Sequence, residues 1–178
     1  MVKLYLSLVA MLVLVMKLRK IYFNEVRHSS EKKTKTFRFS IGARVVLFCR
    51  DMNKGRRAVQ QLCSQTKCDE NNLRLIECDL CSFDSVRNAA KLYNEEEDRL
   101  DVLICNAGLA WAPNVVTKDG FNSVVQANYL GHFLLTNLLL DKLKQCRPSR
   151  ILNVSSDAHR SVLQRKELNI DLKFFVRF

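Results

Sequence analysis

A parallel β-sheet with helices on both faces is the fold that these 178 residues predict, and three observations predict it. From Arg44 onward, short apolar runs rich in β-branched residues alternate with longer amphipathic patterns of helical period. Each short run ends in polar residues or glycine, and the connections are long enough to carry a parallel crossover. The composition is that of an ordinary globular chain: 48% apolar with only five Gly and two Pro, which excludes collagen-like, disordered and disulfide-scaffold classes.

The first element lies ahead of this pattern. Leu4 to Met16 is apolar but for Ser7, with Lys3 before it and Lys17, Arg19 and Lys20 after it. No small-x-small cleavage site follows, so residues 1–23 are expected to form an uncleaved signal-anchor helix in a membrane. Thirteen helical residues rise about 20 Å against a hydrocarbon core of roughly 30 Å. Extension through Leu18, Ile21, Tyr22 and Phe23, with the three flanking cations snorkelling, closes that difference. A buried or interfacial helix is the alternative. Residues 24–41 read as a basic linker, with Arg27, Lys32, Lys33, Lys35 and Arg38 against Glu25 and Glu31, and the positive-inside tendency places the body on the cytoplasmic side.

The formal charge of +11 sits almost wholly in that head: residues 1–67 hold 15 basic and three acidic side chains, whereas residues 68–178 hold 14 and 15. A basic head on a neutral body suits a membrane surface and argues against a nucleic-acid partner. Seven unevenly spaced cysteines, several within apolar runs, behave as small buried hydrophobes in a reducing compartment. Cys63, Cys68, Cys78 and Cys81 loosely resemble a four-thiolate zinc set, but the first spacing is too loose, and no metal is expected.

In the body, Arg44–Cys49 reads as a strand, Asn53–Gln65 as a helix, Leu73–Cys78 as a strand, Phe83–Glu97 as a helix and Asp101–Cys105 as a strand. A loop containing Pro113 leads to a long helix over Asp119–Gln145 and a strand at Arg150–Val154. In open parallel sheets ligands bind beyond the carboxyl ends of the strands. The residues there are Arg50-Asp51, Asp79-Leu80, Asn106-Ala107-Gly108 and Ser155-Ser156.

Asp101-Val-Leu-Ile-Cys-Asn-Ala-Gly108, Asp119-Gly-Phe, Gln126-Ala-Asn-Tyr-Leu-Gly-His-Phe-Leu-Leu-Thr136 and Arg150-Ile-Leu-Asn-Val-Ser-Ser156 resemble, in order and spacing, the short-chain dehydrogenase/reductase family. The nearest likeness within it is to membrane-anchored, NADP(H)-using retinol dehydrogenases, and it runs from about Gly42 to His159. The resemblance implies a partial Rossmann-like, doubly wound NADP-binding domain over 42–160, followed by a divergent tail over 161–178. It implies an endoplasmic-reticulum membrane location and a lipophilic alcohol or carbonyl as substrate. In family terms Arg50 meets the 2′-phosphate of NADP and Asp79 the adenine ring, while Asn106, Ala107 and Gly108 form the small turn against the cofactor. Asn128 is implied to hold the water chain to a catalytic Lys, and Ser156 to hydrogen-bond the substrate oxygen, with Ser155 one register away. The helix Asp119–Gln145 is where the family commonly dimerises.

Two family features are missing from these residues. The catalytic Tyr with Lys four residues on should follow Ser156, yet the last tyrosine is Tyr129, and none of Tyr5, Tyr22, Tyr93 or Tyr129 has that Lys. The Gly-rich pyrophosphate turn should precede Arg44, yet Gly42 is the only glycine before Gly55. Phe37–Ile41 lies too close to Arg44 for a parallel crossover and cannot be the family's central first strand. The expectations are therefore either a gap between the first pair of strands and the second or their direct pairing, a frayed or poorly folding domain, and a chain inactive as it stands. The alternative is a non-catalytic truncation or splice product that at most associates with a full-length relative.

Overall fold

A computed structural model describes residues 44–66, 70–109 and 115–156, together with the backbone of three short strands ahead of them. Those strands are β1 (Val2–Tyr5), β2 (Tyr22–Asn24) and β3 (Thr36–Phe39), and β3 pairs antiparallel with both of the others. Val2 lies opposite Phe39 and Tyr22 opposite Arg38. The two ends of the expected anchor helix are thus extended, because their backbone groups are satisfied across strands rather than along a helix. The basic linker likewise contains a strand. Residues 6–21 lie outside the described residues, and among the described residues no helix is long and apolar enough to cross a membrane.

The body follows as β4 (Val45–Cys49), α1 (Met52–Thr66), a 3-10 turn (Glu70–Asn72), β5 (Leu73–Glu77), α2 (Phe83–Glu96) and β6 (Val102–Cys105). It continues through α3 (Ser123–Val125), one π-helical turn (Gln126–Leu130), α4 (Gly131–Gln145) and β7 (Arg150–Asn153). Each expected strand and helix is found within a residue or so of its expected ends, except the long helix, which starts at Ser123 rather than Asp119. The reason is local. Gly120 has φ of 83° and its N–H donates to the Thr117 carbonyl, closing a turn, and the Asn122 side chain then accepts from the amides of Val124 and Val125 as the helix cap.

The sheet is laid down as two parallel ladders, β4 with β5 and β6 with β7, and no described strand joins β4 to β6. Of the two outcomes expected from the want of a crossover ahead of Arg44, a gap or direct pairing, the described strands show the gap. Alternation along the strands places helices on both faces, as predicted. Gly55 of α1 packs on Leu75, whereas Val46, Phe48, Ile76 and Leu103 join the core made with α2 and α4. Val86, Ala89, Ala90 and Tyr93 form the buried stripe of α2 at helical spacing, and Ser82 caps that helix by accepting from the Ser85 amide. On α4 the stripe is His132, Leu135, Leu139 and Leu143.

At the amino ends of the strands, the Arg44 guanidinium donates to the Glu97 carboxylate at 2.6 and 3.1 Å and to the Asn71 carbonyl at 2.5 Å. The Glu97 side chain is 10% exposed and that of Arg44 36%. Glu97→Gln is expected to cost about 1–2 kcal/mol, less than a fully buried pair because Arg44 is partly solvated. A urea melt should show the lower midpoint with an unchanged slope.

Candidate functional site

The carboxyl ends of the strands converge on the start of the helical segment 126–145. That segment is brought close by Gly131: a Cβ there would lie 2.7 Å from the Leu80 carbonyl oxygen, in the turn after β5. Three and one residues earlier in the chain are Asn128 and Leu130, and one residue later is His132, so the same turn of helix also faces the end of β6.

Beyond β4, Arg50 is exposed, and the Asp51 carboxylate accepts from the amides of Asn53 and Lys54 at 3.0 and 3.1 Å, opening α1. Beyond β5, Asp79 is half-buried. Its N–H donates to Ser85 Oγ at 2.9 Å and its Oδ1 accepts from the Cys81 amide at 2.9 Å. Arg50 and Asp79 share a neighbourhood, since both fields act on the Cys81 thiol. Burial raises its pKa most, the Asp79 charge adds to that, and the Arg50 charge opposes it. Burial likewise pushes the neighbouring Cys78 thiol up to about 12.

Beyond β6, the Asn106–Leu109 turn is held from the helix at two points. The Asn128 carboxamide pairs with both backbone groups of Leu109, accepting from its N–H at 2.6 Å and donating to its carbonyl at 3.0 Å. One turn later, His132 Nε2 donates to the Ala107 carbonyl at 2.8 Å. A Cβ on Gly108 would lie 3.0 Å from Asn128 Oδ1, so the turn rides directly on that side chain. Beyond β7, the Val154 amide donates to the Cys105 carbonyl at 2.9 Å, so residues 154–156 leave the sheet beside residues 106–108, with Ser155 and Ser156 exposed.

Beside this lies a node around Asp119. Its Oδ2 accepts from the Phe83 amide, at the start of α2, at 2.8 Å and from Gln126 Nε2 at 2.5 Å, while Gln126 Oε1 meets the Thr117 hydroxyl. Gln126 opens the π-helical turn that carries Asn128, a helix distortion found most often at functional sites.

Asn106, Ala107 and Gly108 therefore gather with Asn128 and run beside Ser155 and Ser156, and Arg50 gathers with Asp79 at the end of the other ladder. Asp119, Gln126, Gly131 and His132 join the site without a role that the sequence motifs assign to them. For Gly131 a signal existed, since a glycine within a helical pattern marks a close approach. For His132 the signal was its i+4 spacing from Asn128. Among the described residues no group of three or more His, Cys, Asp or Glu is placed to hold a metal, and Cys68 of the loose thiolate set lies outside them.

Residues 37–165 match the family model described as short chain dehydrogenase. Human retinol dehydrogenase 13 is 48% identical over 118 residues, which are 66% of this chain and 35% of that protein. The chain thus spans about a third of the length of the curated relatives it matches. Among solved structures, an uncharacterised protein from Mycobacterium paratuberculosis is 38% identical with a TM-score of 0.53, covering 65% of this chain and 38% of its own. The Pseudomonas aeruginosa RhlG/NADP active-site complex is 28% identical with a TM-score of 0.51, covering 64% and 44%.

Proposed function

Because the chain belongs to the short-chain dehydrogenase family, we propose that it is by lineage an NADP(H)-dependent oxidoreductase of retinol, retinal or a similar lipophilic alcohol or carbonyl, and that these 178 residues alone do not turn over. One observation supports the lineage: Asn128 holds the turn that Asn106–Gly108 begin after β6, and Ser155–Ser156 follow β7, the strand paired with β6. The 48% identity to human retinol dehydrogenase 13 supports the substrate class, and the NADP complex of RhlG supports the cofactor.

The residues present suit one end of NADP(H). Arg50 is exposed and close to Asp79, which fits a 2′-phosphate beside an adenine, and Gly108 is exposed where a nucleotide would pass. Among the described residues nothing forms a Gly-rich cradle for the pyrophosphate. When bound, the cofactor supplies the hydride; Ser156 would hold the substrate oxygen, and Asn128 keeps the turn at the end of β6 in place.

Proton exchange is the step these residues leave unserved. The Tyr93 phenol is fully buried in the core, donates to the Arg99 carbonyl at 2.6 Å and has its pKa pushed up by burial. Tyr129 is exposed on the helix with no Lys four residues on. Loss of a positioned acid alone removes about 10²–10⁴-fold. With all-trans-retinal and NADPH, the purified chain is expected to show at least that deficit against a full-length relative. Turnover within tenfold of the relative would overturn the proposed inactivity.

A second reading is favoured by Tyr129 and Phe133, which are 62% and 59% exposed with ring centroids 6.2 Å apart on one face of the helical segment 126–145. Such a pair suits non-catalytic association with a full-length relative through that helix. Co-purification should be lost in a Tyr129→Ser, Phe133→Ser chain. The apolar run ahead of Lys17 and the basic residues after it support attachment to the endoplasmic-reticulum membrane with the body on the cytoplasmic side.

A further inference from the structure

His132 carries an arrangement that the dehydrogenase chemistry does not require. It is 8% exposed, and its Nε2 lies 2.8 Å from the Ala107 carbonyl oxygen. A carbonyl only accepts, so Nε2 bears the hydrogen and Nδ1 is a bare lone pair. Nδ1 is buried and meets no hydrogen-bonding partner among the described residues. A second proton would have to enter at Nδ1, where it would find no acceptor and the new charge no solvent. Among the described residues the titratable side chains of the neighbouring segments are engaged elsewhere, Cys105 with the Thr136 hydroxyl, Cys81 with the Ser123 carbonyl, Asp79 with the Cys81 amide and, on α2, Asp84 with Lys118 and Tyr93 with the Arg99 carbonyl, and none of them bonds to the ring.

We propose that His132 is a proton-sensitive latch on the Asn106–Leu109 turn: the neutral ring holds the Ala107 carbonyl in place beside Asn128, and the ring leaves its pocket when it takes up a proton. This rests on the nucleotide-site reading only in giving the turn a purpose. Two holds act on alternate residues of the turn, Ala107 through His132 and Leu109 through Asn128, so among the described side chains losing the first leaves the turn hydrogen-bonded to the helix by Asn128 alone.

The direction with pH follows from the same geometry. Burial lowers the ring's pKa from 6.5, and the Ala107 bond opposes this without cancelling it. The latched state therefore prefers the neutral ring. Its hold is complete above about pH 6.5 and weakens tenfold per pH unit as pH falls from there toward the depressed value. Below that value both states are protonated and the weakening stops.

The Leu109 amide, which donates to Asn128, is the reporter. Hydrogen exchange of the whole chain is measured at pH 7.5 and pH 4.5, corrected for the intrinsic pH dependence, with the Leu103 and Phe48 amides as markers of global opening. In the wild type, Leu109 protection is expected to be lost in part at the lower pH while the markers hold. His132→Gln keeps a donor that does not titrate and should hold Leu109 protection at both pH values. His132→Phe should lower it at both, and if that variant fails to fold the comparison of wild type with His132→Gln decides. Equal loss in wild type and His132→Gln, no loss in wild type, or loss shared by the core markers would each overturn the latch. NADPH titrated onto the wild type at pH 7.5 tests the nucleotide reading separately, since absence of binding removes that reading and leaves the exchange result standing.

Discussion

Replacing Phe48 by alanine is expected to cost the body about 3–5 kcal/mol. Phe48 of β4 is 0% exposed and its ring centroid is 6.0 Å from that of Tyr93. It therefore joins the sheet to α2 at the point where Val46, Ile76 and Leu103 also pack. Whole domains are stable by only about 5–15 kcal/mol, so the variant should be substantially unfolded in mild urea, and far-UV circular dichroism against urea measures it. A loss below about 1 kcal/mol would mean that β4 is not packed against α2 as described.

Gly131→Val is expected to be nearly as damaging and to act on the site. The new Cβ would fall 2.7 Å from the Leu80 carbonyl oxygen and 2.9 Å from Leu80 Cβ, and neither is the free end of a flexible side chain. Helix and turn must separate, costing about 1–3 kcal/mol or more, of which the better helix propensity of valine returns only a fraction. The separation also withdraws Asn128 and His132 from the Asn106–Leu109 turn. Chemical-shift changes at Ala107 and Leu109 should accordingly exceed those at Phe48, and Gly131→Ala should show the same pattern more weakly. Changes confined to residues 80 and 131 would contradict this.

The strands and helices of the body were legible in the sequence because each is set by local period and bounded by local signals. Val45–Cys49 and Val102–Cys105 are unbroken apolar runs, and Val86, Ala89, Ala90 and Tyr93 carry the helical spacing. The start of the long helix was missed because Asp119, Gly120 and Asn122 do their work through a left-handed turn and a cap. A turn of that kind interrupts no apolar pattern. The ends of the N-terminal stretch went the other way, since hydropathy says that a run is apolar and not which partner strand it meets. Of the site, the strand-end positions were readable from topology alone, whereas for His132 the sequence offered only its i+4 spacing from Asn128. An isolated histidine on a helix face is ordinary in sequence, and only its distance to Ala107 and the unpartnered second nitrogen set it apart.

The division of the sheet bears on how the molecule is built in time. Each ladder closes through its own crossover, β4 to β5 through α1 and β6 to β7 through the helical segment 126–145, so each is a self-contained βαβ unit able to nucleate without the other. The candidate site is drawn from both, with Arg50 and Asp79 from one and Asn106–Gly108, Asn128 and Ser156 from the other. Its assembly therefore waits on the docking of α4 against α2 and of Gly131 against Leu80. A nucleotide spanning the two would bind only the docked form, and so would act as a mortar between the units.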